Sequence, residues 1–215
     1  FGGSQAWAFP RTFSIDADFN EGLMLNVDHD VVDNQLQLSV ETRPFPYVWI
    51  ACSGLGTVVK IDSASGAVLG EFRTAPEGRP TNPSRSTVDK TGGAWVSNRN
   101  ENSYSAALAA NAGSVVHVGL LENGQCEDRN GNQIIDTSTG LGDVRAWVNT
   151  GSVNTDGGVS TAADECIVHF VRVWGTNTRH VSVDENNNVW VAGDLAGWAS
   201  DHNFTLVDGT TGARL

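Results

Sequence analysis

Ser86-Thr87-Val88-Asp89-Lys90-Thr91-Gly92-Gly93-Ala94-Trp95-Val96-Ser97 aligns without gaps on Val181-Ser182-Val183-Asp184-Glu185-Asn186-Asn187-Asn188-Val189-Trp190-Val191-Ala192. The Val-Asp pair, the Gly or Asn turn and the Trp-Val pair coincide, and Val48-Trp49-Ile50-Ala51 is a third copy of the second half. Alternation about Val88 and Val183 predicts a strand with one buried face. Gly92-Gly93 and Asn187-Asn188 supply the positive φ of a tight hairpin. The returning strand carries Trp-Val, whose bulk fills space between stacked sheets.

A second unit repeats behind the first. Val58-Val59-Lys60-Ile61-Asp62-Ser63-Ala64-Ser65-Gly66 matches Phe204-Thr205-Leu206-Val207-Asp208-Gly209-Thr210-Thr211-Gly212, and Ser114-Val115-Val116-His117-Val118 is the middle copy. It reads as a third strand ending in Asp, a Gly turn, and a fourth, outer strand. Asp62, Asp89, Asp184 and Asp208 are expected to bond their own backbone as turn formers, not to act as acids. Four strands per repeat is the grammar of a β-propeller blade. The expected fold is therefore all-β, a propeller of four-stranded blades, with repeats over roughly 47–73, 85–174 and 180–215. Gln35 to Val40 is expected to add a strand to the first repeat. Residues 1–34 match no blade and read as an N-terminal arm or lid, leaving 35–215 as blades. Sustained helical periodicity is absent, and the Ala-rich run from Ala106 to Ala112 reads as a loop.

The pattern Val-Asp-x-x-Gly-x-x-Trp-Val, followed by x-Val-x-x-Ile-Asp-x-x-x-Gly, resembles NHL-type propellers. Within them it is similar to bacterial secreted proteins of the virginiamycin B lyase-like group. The resemblance covers about residues 47–99 and 179–215. It implies a fold and leaves activity open, because such propellers host lyases, lactonases and binding modules. Three blades do not close a ring. Either a longer natural chain or a neighbouring subunit is expected to cover the open faces, and unlike surfaces joined head to tail without closure give filaments. Leu215 falls just after a hairpin signal, where another strand is expected. The chain starts at Phe1 and shows no signal-peptide pattern, as expected of a processed chain or a fragment.

Composition narrows the partners. The chain has 215 residues and a formal net charge of -12, from 25 acidic and 13 basic side chains. That excludes a nucleic-acid partner, which demands a basic face. No apolar run approaches the length of a membrane span. The acidic surface, rich in Asn, Ser, Thr and Gly, suits an extracellular or cell-surface location and calcium. Asn203-Phe204-Thr205 is the single N-glycosylation sequon.

Between Leu121 and Ile167 the blade grammar breaks, marking an insertion at about 122–166. Cys126 and Cys166 bracket it, and a disulfide between them would close a long floppy loop, where a cross-link removes the most unfolded-state entropy. Cys52 sits in an apolar run and is expected to be a buried free thiol. The insertion opens with Asp128-Arg129-Asn130-Gly131-Asn132-Gln133-Ile134-Ile135-Asp136. Asp128, Asn130, Asn132 and Asp136 place side-chain oxygens at positions 1, 3, 5 and 9 of an EF-hand-like loop, and Ile134 offers its carbonyl at position 7. Two features depart from that pattern: position 6 is Gln133 where Gly is usual, and position 12 is Thr139 where a bidentate Glu is usual. Asp143 is the expected replacement ligand, with Glu127 as a second choice, and Ile135 is expected to anchor the loop inward. A weaker echo at Asp16-Ala17-Asp18-Phe19-Asn20-Glu21-Gly22, with Asp28 and Asp30 beyond it, reads as solvated turn carboxylates.

The chemistry of catalysis is thinly represented. His29, His117, His169, His180 and His202 lack a second His or Cys at zinc-ligand spacing. G-x-S-x-G, H-E-x-x-H and a phosphate-binding Gly loop are all missing. His117 and His169 lie in strand patterns and read as packed or surface residues. Arg85 and His180 hold equivalent repeat positions and are the one pair expected near a central tunnel. The sequence thus favours a non-enzymatic structural or binding protein stabilised by calcium, with a metal-dependent lyase or lactonase working in the tunnel as the alternative.

Overall fold

The repeated hairpins of the sequence form as read, in a computed structural model that describes residues 12–20, 27–38, 45–77, 82–100, 112–148, 162–195 and 198–215. The chain divides into two units, Phe1–Phe45 and Pro46–Leu215. In the first, a single helical turn α1 (Asp16–Phe19) buries Phe19 against His29, and β1 (Val27–Asp28) pairs antiparallel with β2 (Gln37–Leu38). The described part of the segment from Gln35 thus pairs with β1. The acidic echo there serves local structure: Asp16 Oδ1 accepts from the Asn34 amide at 2.9 Å and lies 3.3 Å from His29 Nδ1, and Asp18 accepts from the Ser14 and Ile15 amides.

The second unit is all-β and antiparallel. β3 (Tyr47–Cys52), β4 (Thr57–Asp62) and β5 (Val68–Arg73) make a three-stranded sheet. β6 (Pro83–Val88), β7 (Ala94–Asn98), β8 (Ala112–Val118), β9 (Ile167–Val183), β10 (Val189–Leu195) and β11 (Trp198–Val207) follow in sequence order across a six-stranded sheet. The Ala-rich run ends where β8 begins; its residues before Ala112 lie outside the described ones. No helix among the described residues is long and apolar enough to cross a membrane.

The turns repeat to the level of single hydrogen bonds. Asp89 Oδ1 accepts the Thr91 and Gly93 amides at 2.8 and 3.1 Å, and Asp184 Oδ1 accepts the Asn186 and Asn188 amides at 2.9 Å each. Gly92 and Asn187 take φ of 91° and 66° at the same place in the two turns. Asp62 and Asp208 do likewise in the second type of turn, holding the amides of Ala64 and Ser65 and of Thr210 and Thr211, with Gly66 and Gly212 at φ of 74° and 68°. All four aspartates are turn formers, because a short carboxylate satisfies amide donors that the turn leaves without a carbonyl.

β9 joins the middle and last repeats. Ile167 to Arg172 pair with β8, His180 to Val183 pair with β10, and Thr176 pairs with both Ala112 and Asp194. The sheet therefore passes from one repeat into the next without a break, where the sequence divides two blades. Gly193 is needed at this corner, since a Cβ there would lie 2.5 Å from the Thr176 carbonyl oxygen. The sheet curls into a half-barrel. Trp95, Val115, Val171 and Val173 from one end of it and Val181, Val189, Val191 and Val207 from the other share one core. On its opposite face Ala94, Val96, Val116, Val118 and Phe170 meet Trp49, Val58 and Phe72 of the three-stranded sheet in a second core. Three sheet layers result. The Trp-bearing faces of the first two repeats pack on the repeat that follows, and the Trp49 indole donates to the Gly92 carbonyl at 3.3 Å across the first seam.

Candidate functional site

The insertion replaces the third turn of the middle repeat. A 3-10 turn, Leu121–Asn123, leads into it, and Glu122 reaches back to the buried Lys60 on β4 with Nζ–O distances of 2.7 and 2.8 Å. Burial pushes the Glu122 carboxyl up, but bonding to Lys60 and its charge leave it below the usual range. The Cys126–Cys166 disulfide forms, with Cα atoms 4.3 Å apart, and closes the base of the insertion. Cys52 is a free thiol as expected, but it is partly exposed, because it ends β3 beside the turn at 53–56.

Within this base the loop Asp128 to Asp136 is coiled by its own side-chain bonds. Asp128 Oδ1 accepts the Gly131 and Asn132 amides and Oδ2 accepts the Gln133 amide at 2.7 Å. Asn130 Oδ1 and Asn132 Oδ1 accept the amides two residues on, from Asn132 and Ile134. The Nδ2 groups of Asn130 and Asn132 converge on Asp136 Oδ2 at 2.8 and 2.9 Å. Gln133 adopts φ of 67°, the left-handed backbone that position 6 of such a loop requires and that Gly usually supplies. Ile135 anchors the loop against the first core, while the Ile134 side chain is exposed. Each Oδ1 keeps a lone pair beyond the amide it accepts, so Asn130 and Asn132 can offer oxygen to a cation without giving up these bonds. Two carboxylates, two amide oxygens and a carbonyl suit a hard, geometrically tolerant ion such as calcium.

Asp143, the expected replacement ligand, is bonded to Thr139. It accepts the Thr139 amide at 2.9 Å and the Thr139 hydroxyl at 3.1 Å, bonds that hold its carboxyl below the usual range, and it lies 3.6 Å from Arg145 Nε. Glu165 is the acid that closes the loop: Oε1 accepts the Arg129 and Asn130 amides and Oε2 accepts the Asp136 amide at 2.8 Å. The spacing of the loop gives no signal for Glu165. Its place follows from the disulfide, which sets residue 165 beside residue 127, where the Glu127 amide donates to the Glu165 carbonyl at 3.0 Å. Next to it the buried Asp164 accepts the Thr137 hydroxyl and the Ser138 and Cys166 amides, yet burial still raises its pKa. Arg129 adds bonds to the carbonyls of Ala162, Asp164 and Ile167.

Beyond the loop the insertion becomes a strap along the outer edge of the three-stranded sheet. The Glu71 amide of β5 donates to Ser138 Oγ at 2.8 Å, Gly142 donates to Glu71 Oε2 at 2.9 Å, and Arg73 donates to the Arg145 carbonyl at 3.1 Å. Trp147 is buried edge-on against Phe170, ring centroids 5.0 Å apart. The described residues of this insertion are thus tied down at both ends, in place of the floppy loop the composition implied. They cover a sheet edge that would otherwise offer unpaired strand groups.

Two further polar groupings were in view from the sequence. His117 is packed, stacked on Trp95 at 4.4 Å and 3°, with Nε2 2.8 Å from Asp89 Oδ2. Both partners of that pair are buried, so the pair is sealed inside the fold. His180 lines an open cavity of about 360 Å³ with Asn177, Arg179, Ala192, Gly193, Asp194 and Phe204. Arg85 is exposed on β6 and is not among the residues lining it. Compared with protein-family models, curated proteins and solved structures, the chain matches none.

Proposed function

We infer that this chain is a non-enzymatic, secreted or cell-surface structural module of the NHL-type propeller kind, with calcium pinning the strap that ties its first two sheets together. The observation that carries this reading is the coiled loop in which Asp128 accepts the Gly131, Asn132 and Gln133 amides, Asn130 and Asn132 meet Asp136, and Gln133 takes φ of 67°. The disulfide beside the loop suits an oxidising compartment. The sealing of the His117–Asp89 pair favours a structural over a catalytic role.

Calcium binding the folded chain alone would stabilise it by about 2.7 kcal/mol at a hundred times the dissociation constant. The melting temperature of chelator-treated protein is therefore expected to rise on calcium titration, and Asp128→Ala is expected to abolish the rise. Identical melting with calcium and with EDTA would overturn the calcium assignment.

A further inference from the structure

The loop Asp128 to Asp136 is gripped from outside by one residue. Glu165 is 3 % exposed, and both of its carboxylate oxygens end on loop amides. Oε1 accepts from Arg129 and Asn130 at 2.9 and 3.1 Å, and Oε2 accepts from Asp136 at 2.8 Å. Its backbone adds two ties: the Glu165 amide donates to the Asp136 carbonyl at 2.9 Å, and the Glu165 carbonyl accepts the Glu127 amide at 3.0 Å. Both limbs of the loop are thus fixed by one side chain, while Asp128 gathers the amides of Gly131, Asn132 and Gln133 between them.

Glu165 lies 29 residues beyond Asp136, so local chain geometry does not bring it to the loop. The covalent link does, because Cys126 stands just before the loop and Cys166 directly follows Glu165. Cys166 is itself buried, and the buried Asp164 holds its amide at 3.0 Å. A loop held in this way has little freedom left to lose when an ion enters, and preorganisation of that kind appears as affinity.

We propose that Glu165 is a positioning residue for the calcium site inferred above, and that the Cys126–Cys166 disulfide sets the affinity of that site by holding Glu165 in place. Calcium binding is then linked to the thiol–disulfide state: the oxidised chain binds calcium tightly, and reduction loosens it. Reduction by a dithiol breaks the S–S bond, Cys126 and Cys166 each gain one electron and one proton, and the dithiol closes to its own disulfide. Linkage is reciprocal, so bound calcium shifts this exchange toward the protein disulfide by the factor that the disulfide adds to calcium affinity. The inference rests on the calcium reading and adds a residue outside the loop that governs the site and a chemical change that turns it down.

Calorimetric titration of the 215-residue chain with calcium chloride reads the dissociation constant. Glu165→Gln removes an acceptor from one limb and is expected to weaken calcium about 10- to 100-fold, as loss of an outer partner of a metal site does. Dithiol-reduced wild type, and Cys126→Ser with Cys166→Ser, are expected to bind about 10-fold more weakly. Glu71→Gln is the control: this buried carboxylate holds the strap at Gly142 and not the loop, so its loss should lower stability and leave the dissociation constant unchanged. Cooperative melting in EDTA is checked first for each form, and where either the Glu165 variant or the reduced chain does not fold, the other decides. Should neither fold, the dithiol concentration that half-reduces the natural chain decides, and no rise in saturating calcium would overturn the inference. Equal constants for wild type and Glu165→Gln, equal constants for oxidised and reduced chain, or the same weakening in Glu71→Gln would each overturn it and leave the calcium reading standing. A wild type that takes up no calcium overturns both.

Discussion

The middle and last repeats share one register, one Asp-capped hairpin and one tryptophan, and they differ in what surrounds them. Trp95 is fully buried and stacked on His117, whereas Trp190 lies on an outer face opposite Leu206. Asp89 is buried and accepts from His117 as well as its own turn; Asp184 accepts mainly within its turn. After the third strand, the middle repeat opens into the disulfide-closed strap, and the last closes with the short turn at Asp208. A repeat therefore specifies the strand and turn geometry, and position in the stack specifies what the same side chain is worth.

The largest test of that statement is a matched pair of truncations. Trp95→Ala is expected to cost about 3–5 kcal/mol, as deletion of a large buried aromatic does. Trp190→Ala is expected to cost about 1–2 kcal/mol, in proportion to the smaller area it hides. Urea unfolding midpoints read both, and equal losses would mean that position in the stack is immaterial. Next comes the strap. Cys126→Ser with Cys166→Ser opens a loop of sequence separation 40, worth about 4 kcal/mol in the chain-entropy account. A loss below about 1 kcal/mol in the same unfolding experiment would show that Arg129, Glu165 and Trp147 hold the strap without the covalent link.

The third test uses acid. Burial pushes the Asp89 carboxyl up, but hydrogen bonding to His117, the charge of His117 and bonds from Thr91 more than offset it, so its pKa in the fold is lowered. A lowered folded value means that its contribution is complete above the unfolded value of about 4 and is lost as pH falls through the folded value. Asp89→Asn is expected to cost about 2–3 kcal/mol at pH 7, because the new amide would face His117 Nε2 and the Gln125 amide. It should also flatten the fall in stability below pH 4. Asp184→Asn should cost less at pH 7 and leave the Asp89 share of the acid dependence in place. Equal acid profiles for the two variants would remove the distinction between the hairpins.

Much of this was legible in the residues. Alternation and the Asp-Gly or Asp-Asn turns placed the strands, because both signals are local. The break between Leu121 and Ile167 was legible for the same reason, and the Cys126–Cys166 pairing because the two cysteines bracket that break. Contacts between distant segments were not. The bonds from Glu165 to the Arg129, Asn130 and Asp136 amides arise because the disulfide sets the loop beside residue 165, and no local spacing points to them. The pairing of Gln37–Leu38 with Val27–Asp28, and the passage of β9 through two repeats, depend on neighbours that no periodicity names. His117 was read as packed or surface, and its bond to Asp89 across 28 residues needed the sheet register to appear.

The clasp at the base of the insertion has a consequence for the chain as a covalent object. Any backbone cut between residues 127 and 165 leaves the two fragments tethered through Cys126 and Cys166. Such a cleaved molecule would migrate as one species until a reductant is added, and the surrounding hydrogen bonds would hold both ends in register meanwhile. The insertion is thus a place where the polypeptide can lose continuity and the protein keep its integrity.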